Sequence, residues 1–254
     1  MSFILPSELT RARGVATAVA TLVLSLASQA QAAGVPGQGT WETTLQGRDL
    51  DGDGSFFDAY YDTDLKITWL ADASYALTSG YTADGYLDWD AAKAWVAQLN
   101  INGIAGWRLP DVKPANGSSF QYSYSAGGST DVGYNIVSTQ SELAHLYYVT
   151  LGNKWYGDAP VPVRPGSSLS NVGPFFGVEP SFYWSDVEYA PSTDAAWCFD
   201  TDGGYQNGFG KAFGFKAWAV HPGDVGSAVP EAQTCALALA GLAAALVVRR
   251  RQQR

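Results

Sequence analysis

Apolar blocks four to six residues long, most of them built around a tryptophan, run through the middle of this 254-residue chain. Glycine, aspartate and asparagine separate them. Blocks that short cannot carry several turns of amphipathic helix, but they suit buried β-strands. Leu65–Leu70, Phe182–Ser185, Ala195–Phe199 and Phe215–Val220 read as such strands. Asp-Gly and Gly-Gly pairs at 202–204 and Asn-Gly at 207–208 are expected to form hairpin turns. Nine Trp, fourteen Tyr and eleven Phe are enough to fill a core. Trp107, Trp184, Trp197 and Trp218, in apolar contexts, would each bury about 150–250 Å². With 28 Gly and one Met, the pattern excludes a coiled coil or a helical bundle.

Two segments keep a helical period. Asp88 can cap a helix running to Asn100, with Trp89, Ala92, Val96 and Leu99 on one face and Gly103 and Gly106 beyond its end. Thr139-x-x-Glu142 has capping-box spacing and would open a second helix, whose stripe is Leu143, Leu146 and Tyr147 up to Gly152. Helices early and short strands late predict an α+β fold with an antiparallel sheet. Asn116–Ser129 and Gly157–Pro174 read as long surface loops. Tyr122, Tyr124 and Tyr134 in and after the first loop suit stacking on a sugar or contact with a protein.

The two ends differ from the body. Residues 1–32 read as a signal peptide: Arg11 and Arg13, an apolar stretch from Val15 to Ala27, then Ala30-Gln31-Ala32 as a small-x-small cleavage site. Cys235–Val248 is an unbroken apolar run followed by Arg249, Arg250, Arg251 and Arg254. Fourteen helical residues reach about 21 Å, short of the ~30 Å of a bilayer core. Val229-Pro230-Glu231 precedes the run. The arrangement resembles the PEP-CTERM sorting signal of Gram-negative bacteria, with Ala232 where a second proline is usual. That resemblance implies processing by an exosortase-type enzyme. It also implies transient anchoring in the inner membrane and delivery to the outer surface or extracellular matrix. The expected organisation is therefore a leader at 1–32, one domain at 33–225 and a sorting tail at 226–254.

Without the leader and residues 231–254, nine basic side chains face 22 acidic ones. A body near −13 repels phosphate backbones, which excludes nucleic acid as a partner. Catalytic motifs are missing: there is no P-loop, no G-x-S-x-G, no G-x-G-x-x-G and no H-E-x-x-H. His145 reads as a half-buried packing residue. Cys198 has no partner in the body, since Cys235 lies in the tail. Asp49-Leu50-Asp51-Gly52-Asp53-Gly54 places oxygen ligands at positions 1, 3 and 5 and glycine at 6, as a Ca²⁺ loop requires. Position 12 is Tyr60 rather than Glu, so Asp58, Asp62 or Asp64 would have to complete the shell. Calcium is the one cofactor this spacing suggests; the alternative is a solvated acidic turn.

Seven blocks occur in a fixed order: Leu65-x-x-x-Trp69, the helix with Trp89 and Trp95, Gly106-Trp107-Arg108-Leu109-Pro110, Ser141-Glu142-Leu143, Tyr183-Trp184-Ser185, Ala196-Trp197-x-Phe199 and Ala217-Trp218-Ala219-Val220. Together they resemble the Lcl C-terminal domain family over roughly Asp58 to Asp224. The resemblance implies a C-type lectin-like fold, distantly similar to formylglycine-generating sulfatase-modifying enzymes. His221, where an Arg often closes the last strand, and the extended loop after Pro110 depart from the pattern. Most of these residues read as framework. Arg108 is expected to fasten a turn by bridging carbonyls or a carboxylate such as Glu142. Three functions are compatible: a non-catalytic module binding an exopolysaccharide, other polymer or envelope protein; an enzyme of the sulfatase-modifying kind, which a single body cysteine argues against; and a matrix protein without a discrete site.

Overall fold

The computed structural model describes residues 38–157 and 169–226. The leader at 1–32 and the tail residues Val229, Pro230, Glu231, Arg249, Arg250 and Arg251 lie outside the described residues, as does the apolar run between them. Among the described residues no helix is long and apolar enough to cross a membrane.

The architecture is α+β with mainly antiparallel sheets. A one-turn helix α1 (Trp41–Thr44) leads into β1 (Leu45–Arg48), which pairs antiparallel with β2 (Ala59–Asp62), and β2 with β3 (Ile67–Leu70). The acidic segment Asp49–Asp58 is thus the loop of the β1–β2 hairpin, closed by the Asp58 N–H donating to the Arg48 carbonyl at 2.9 Å. Asp62 turns the chain between β2 and β3 by accepting from the N–H groups of Asp64 and Leu65. Helix α2 (Tyr75–Thr78) follows, then the principal helix α3 (Trp89–Gln98). Asp88 caps α3 by accepting from the Ala91 N–H at 2.8 Å, and the buried face is Trp89, Ala92, Trp95 and Val96. A tight turn then pairs Ile101 with Ile104; Asn102 and Gly103 take its left-handed positions (φ 51° and 88°).

The second sheet has the order β4-β5-β8-β7-β6. Its strands are β4 (Tyr124–Ser125), β5 (Val132–Gly133), β6 (Phe182–Glu188), β7 (Ala195–Asp200) and β8 (Tyr205–Gly210). Only the two-residue β4 runs parallel to its neighbour. The last strand, β9 (Val220–Pro222), returns to pair with β3 and completes the first sheet.

Alternation along the apolar blocks explains why they read as continuous runs. Trp184, Ala196, Cys198, Ala217 and Ala219 belong to a cluster with α3 and Trp107. Their neighbours Tyr183, Phe199, Trp218 and Val220 belong to a second cluster with Trp69, Leu146 and Tyr147. Successive side chains of a strand point to opposite faces, so strands covered on both sides need apolar residues at nearly every position. Indole N–H groups then tie the layers together. Trp184 donates to Leu87 O, Trp218 to Leu70 O and Trp89 to Ser185 O, each at 2.8 Å.

Several local expectations need correction. Among the described residues there are two sheets and four α-helical segments, not one sheet and two helices. The second expected helix starts at Glu142, lasts one turn as α4 (Glu142–His145) and widens into a π-helical turn over Leu146–Thr150. No Thr139 capping box forms. Ser141 is the residue before the helix, and the Glu142 carboxylate is taken by Arg108 instead of a backbone N–H at the helix start. Asn207-Gly208 lies inside β8 opposite Trp197 and Cys198, so only Thr201–Gly204 turns the hairpin. Only Phe215 and Lys216 of the expected strand make isolated bridges, to Leu87 and Tyr183, before the chain becomes a strand at Val220.

Candidate functional site

The framework residues meet at one brace. Arg108 forms a two-residue bridge with Val220, its N–H donating to Val220 O at 2.8 Å and its carbonyl accepting at 2.9 Å. Its guanidinium donates to both oxygens of Glu142 at 2.7 Å and to the Leu109 carbonyl at 2.9 Å. Burial works against the charged guanidinium, but the hydrogen bonds and charge of Glu142 outweigh it and raise its pKa. Glu142 also accepts from the Asp111 N–H. Pro110 continues the tie, its carbonyl accepting from Asp186 N at 2.8 Å. Trp69, Trp107, Leu109, Trp184, Ser185, Trp197 and Trp218 are all buried. These buried side chains hold the loops in place and leave no surface of their own for a ligand.

The loops carry two features of a different kind. The first is an aromatic platform at the edge where β4, β5 and β8 meet. Tyr134 lies 4.8 Å from Trp155, 4.9 Å from Tyr205, 5.6 Å from Tyr156 and 6.2 Å from Tyr124 between ring centroids. Tyr124 and Tyr156 are 60% and 52% exposed. The platform flanks the β7–β8 turn, where the Asp200 carboxylate accepts from Asp202 N and Gly203 N. The structure brings Tyr124 and Tyr134 together but places Tyr122 elsewhere. Its ring stacks on Trp197 (6.1 Å, 18°) and meets Tyr189 edge-on at 5.3 Å, closing a third apolar cluster. Tyr122, still 36% exposed, stacks on that cluster from outside and is not part of the platform.

The second feature is the β1–β2 loop. One carboxylate oxygen from each of Asp49, Asp51 and Asp58 lies within 4.8 Å of the others. Asp53 is not among them: it accepts from the Ser55 N–H and hydroxyl, and those bonds lower its pKa. For Asp51 the Asp53 N–H acts to lower the pKa, but desolvation and the charges of Asp53 and Asp58 outweigh it and raise it. Asp49 accepts from Gly52 N and Gly54 N, and Asp58 from Leu50 N and Asp51 N. The carboxylates therefore already organise the loop's own backbone. Three oxygens fall short of the six to eight that Ca²⁺ takes.

Other reactive groups are enclosed. The Cys198 thiol is fully buried in β7, and burial raises its pKa well above the ordinary thiol value. It is therefore unsuited to act as a nucleophile. His145 is 5% exposed, with Nδ1 at 2.9 Å from Val137 O. Asp200 is the site carboxyl with the clearest pH signature: burial, the largest cause, raises its pKa from 3.8 to about 6 against the pull of two backbone N–H bonds. Between these two values the folded state holds a proton that the unfolded state has lost, so this group's contribution to stability falls as pH rises through that window. The stability of the wild type relative to Asp200→Asn should accordingly be higher at pH 4.5 than at pH 7. Urea unfolding at both pH values checks this, and a difference that does not change with pH would show Asp200 to be solvated.

The partners of Tyr134 escaped sequence reading. Trp155 and Tyr156 lie 21 and 22 residues away, and Tyr205 71 residues away. Tyr205 directly after the Gly-Gly turn was the only local sign of a ring beside that turn. Compared with family models, curated proteins and solved structures, the chain matches none.

Proposed function

We propose that residues 33–225 form an exported, non-catalytic binding module with a C-type lectin-like fold. Its aromatic platform holds a carbohydrate or other polymer of the envelope or extracellular matrix. The observation that carries the reading is the platform itself: four aromatic rings gathered around that of Tyr134, two of them more than half exposed, beside the Asp200 carboxylate. Flat amphipathic rings offer large contact area at little entropic cost, and a neighbouring carboxylate accepts hydrogen bonds from hydroxyls. The leader pattern at 1–32 and the Pro-Glu, apolar and arginine succession from Val229 to Arg251 support export and sorting by an exosortase-type enzyme. The enclosed Cys198 argues against the sulfatase-modifying alternative. A matrix protein without a discrete site would not need exposed rings clustered at one turn.

Glycan-array binding of the full chain tests the reading. Tyr124→Ala and Tyr156→Ala should each weaken the strongest array ligand about tenfold, while shifting stability by only ~0.5 kcal/mol, as exposed substitutions do. Tyr122→Ala should lower stability and leave ligand binding intact. Variants that bind like the wild type, or an array without any signal, would leave the matrix-protein reading standing instead.

A further inference from the structure

Independently of the platform, a cavity of about 810 Å³ opens between the β1–β2 loop, the start of α2 and the segment around Phe176. Its lining is chemically one-sided. Asp49, Asp58 and Asp72 contribute carboxylates, and none of the fifteen lining residues is Lys, Arg or His. Asp72 is only 6% exposed, and its oxygens accept from two neutral donors, the Ser74 N–H at 2.8 Å and the Thr78 hydroxyl. No ion pair among the described residues involves any of the three. A carboxylate this enclosed without a cation is short of positive charge.

Much of the remaining wall is aromatic. Phe57 and Phe176 line the cavity while 50% and 55% exposed, and Tyr60 and Tyr75 line it from the folded side. The rings are held in place. Phe57 lies so close over Gly47 that a Cβ there would come within 2.2 Å of its ring. It meets Tyr60 edge-on at 5.8 Å, and Tyr60 meets the buried Phe175 at 5.3 Å. A metal ion would use the oxygens and leave the rings idle. A neutral apolar ligand would use the rings and leave the carboxylates uncompensated. An ammonium group uses both, because ring faces attract cations and carboxylates neutralise them.

We propose that this cavity binds a small organic ammonium ion, its charge set between the Asp58 and Asp72 carboxylates and its carbon substituents against Phe57, Tyr75 and Phe176. The volume lies within the range of small-molecule sites.

Calorimetric titration of the full chain with choline chloride, and in parallel with its neutral isostere 3,3-dimethylbutan-1-ol, tests this. Choline should bind at least about tenfold more tightly than the isostere. Asp72→Asn should remove that preference. Phe176→Ala, which deletes a half-exposed ring, should weaken choline severalfold without changing the melting temperature, and it decides the matter if Asp72→Asn does not fold. Tyr124→Ala should leave choline binding unchanged, which keeps this result separate from that of the platform. Equal affinity for the isostere, or no heat from choline at ~10 mM, would overturn the proposal. So would heat from CaCl₂ alone, which would assign the carboxylates to a metal. Binding to phosphatidylcholine vesicles without binding of free choline would also overturn it, in favour of a membrane surface.

Discussion

Glu142→Ala should cost this protein about 3–5 kcal/mol of folding stability, because it breaks an ion pair while leaving the other charge in place. The Glu142 side chain is 9% exposed and that of Arg108 25%. Two parallel hydrogen bonds of 2.7 Å join them. Removing the carboxylate strands the guanidinium in a partly desolvated turn and leaves the Asp111 N–H without its acceptor. The damage spreads because Arg108 is also the residue that bridges to Val220 and so binds the central block to the last strand. Glu142→Gln, which keeps the shape and loses the charge, should fall between wild type and alanine. Arg108→Met with Glu142→Leu should recover much of the loss, since neither charge then remains. Urea midpoints for the four proteins measure this. A loss below ~1 kcal/mol for Glu142→Ala would mean that the pair behaves as an exposed surface bridge.

Trp184→Ala should be comparably severe, at about 3–5 kcal/mol. Trp184 is fully buried, its ring centroid is 4.5 Å from that of Phe215, and its indole N–H satisfies the Leu87 carbonyl at 2.8 Å. Truncation leaves a cavity in the α3-facing cluster and removes one of the two donors to the Leu87 carbonyl, which keeps the Phe215 N–H at 2.9 Å. Trp184→Phe fills most of the volume but still loses the donor, so about 1–2 kcal/mol is expected. Chemical denaturation separates the two variants. Full stability combined with altered ligand binding would instead identify Trp184 as a contact residue, and the packing account would fail.

What could be read locally in the chain was what depends on a few neighbouring residues. The Asp88 cap and the Trp89, Ala92, Val96 stripe specify α3 because an N-cap bond and a helical face need only residues three or four apart. The β7–β8 turn at Thr201–Gly204 followed for the same reason. Thr139-x-x-Glu142 had capping-box spacing too, yet Arg108, 34 residues away, offered Glu142 a charge-assisted bond. That bond is stronger than the neutral one a capping box supplies. Asn207-Gly208 looked like a turn, but its place beside β7 was decided by pairing with Trp197 and Cys198.

The candidate sites divide in the same way. The sequence by itself determined an acidic, aromatic-rich α+β body, the acidic loop and a separate tyrosine-bearing loop. Tertiary closure alone decided that Asp58, rather than Asp53, joins Asp49 and Asp51. It alone sent Tyr122 to Trp197, Tyr124 to Tyr134, and Phe176 to the cavity that Asp58 also lines. The physical reason is that an aromatic ring or a carboxylate carries no mark of its partner. Hydrogen bonds between near neighbours are set by spacing, whereas a ring contact across 71 residues, such as Tyr134 with Tyr205, exists only once the strands have paired and the core has excluded water.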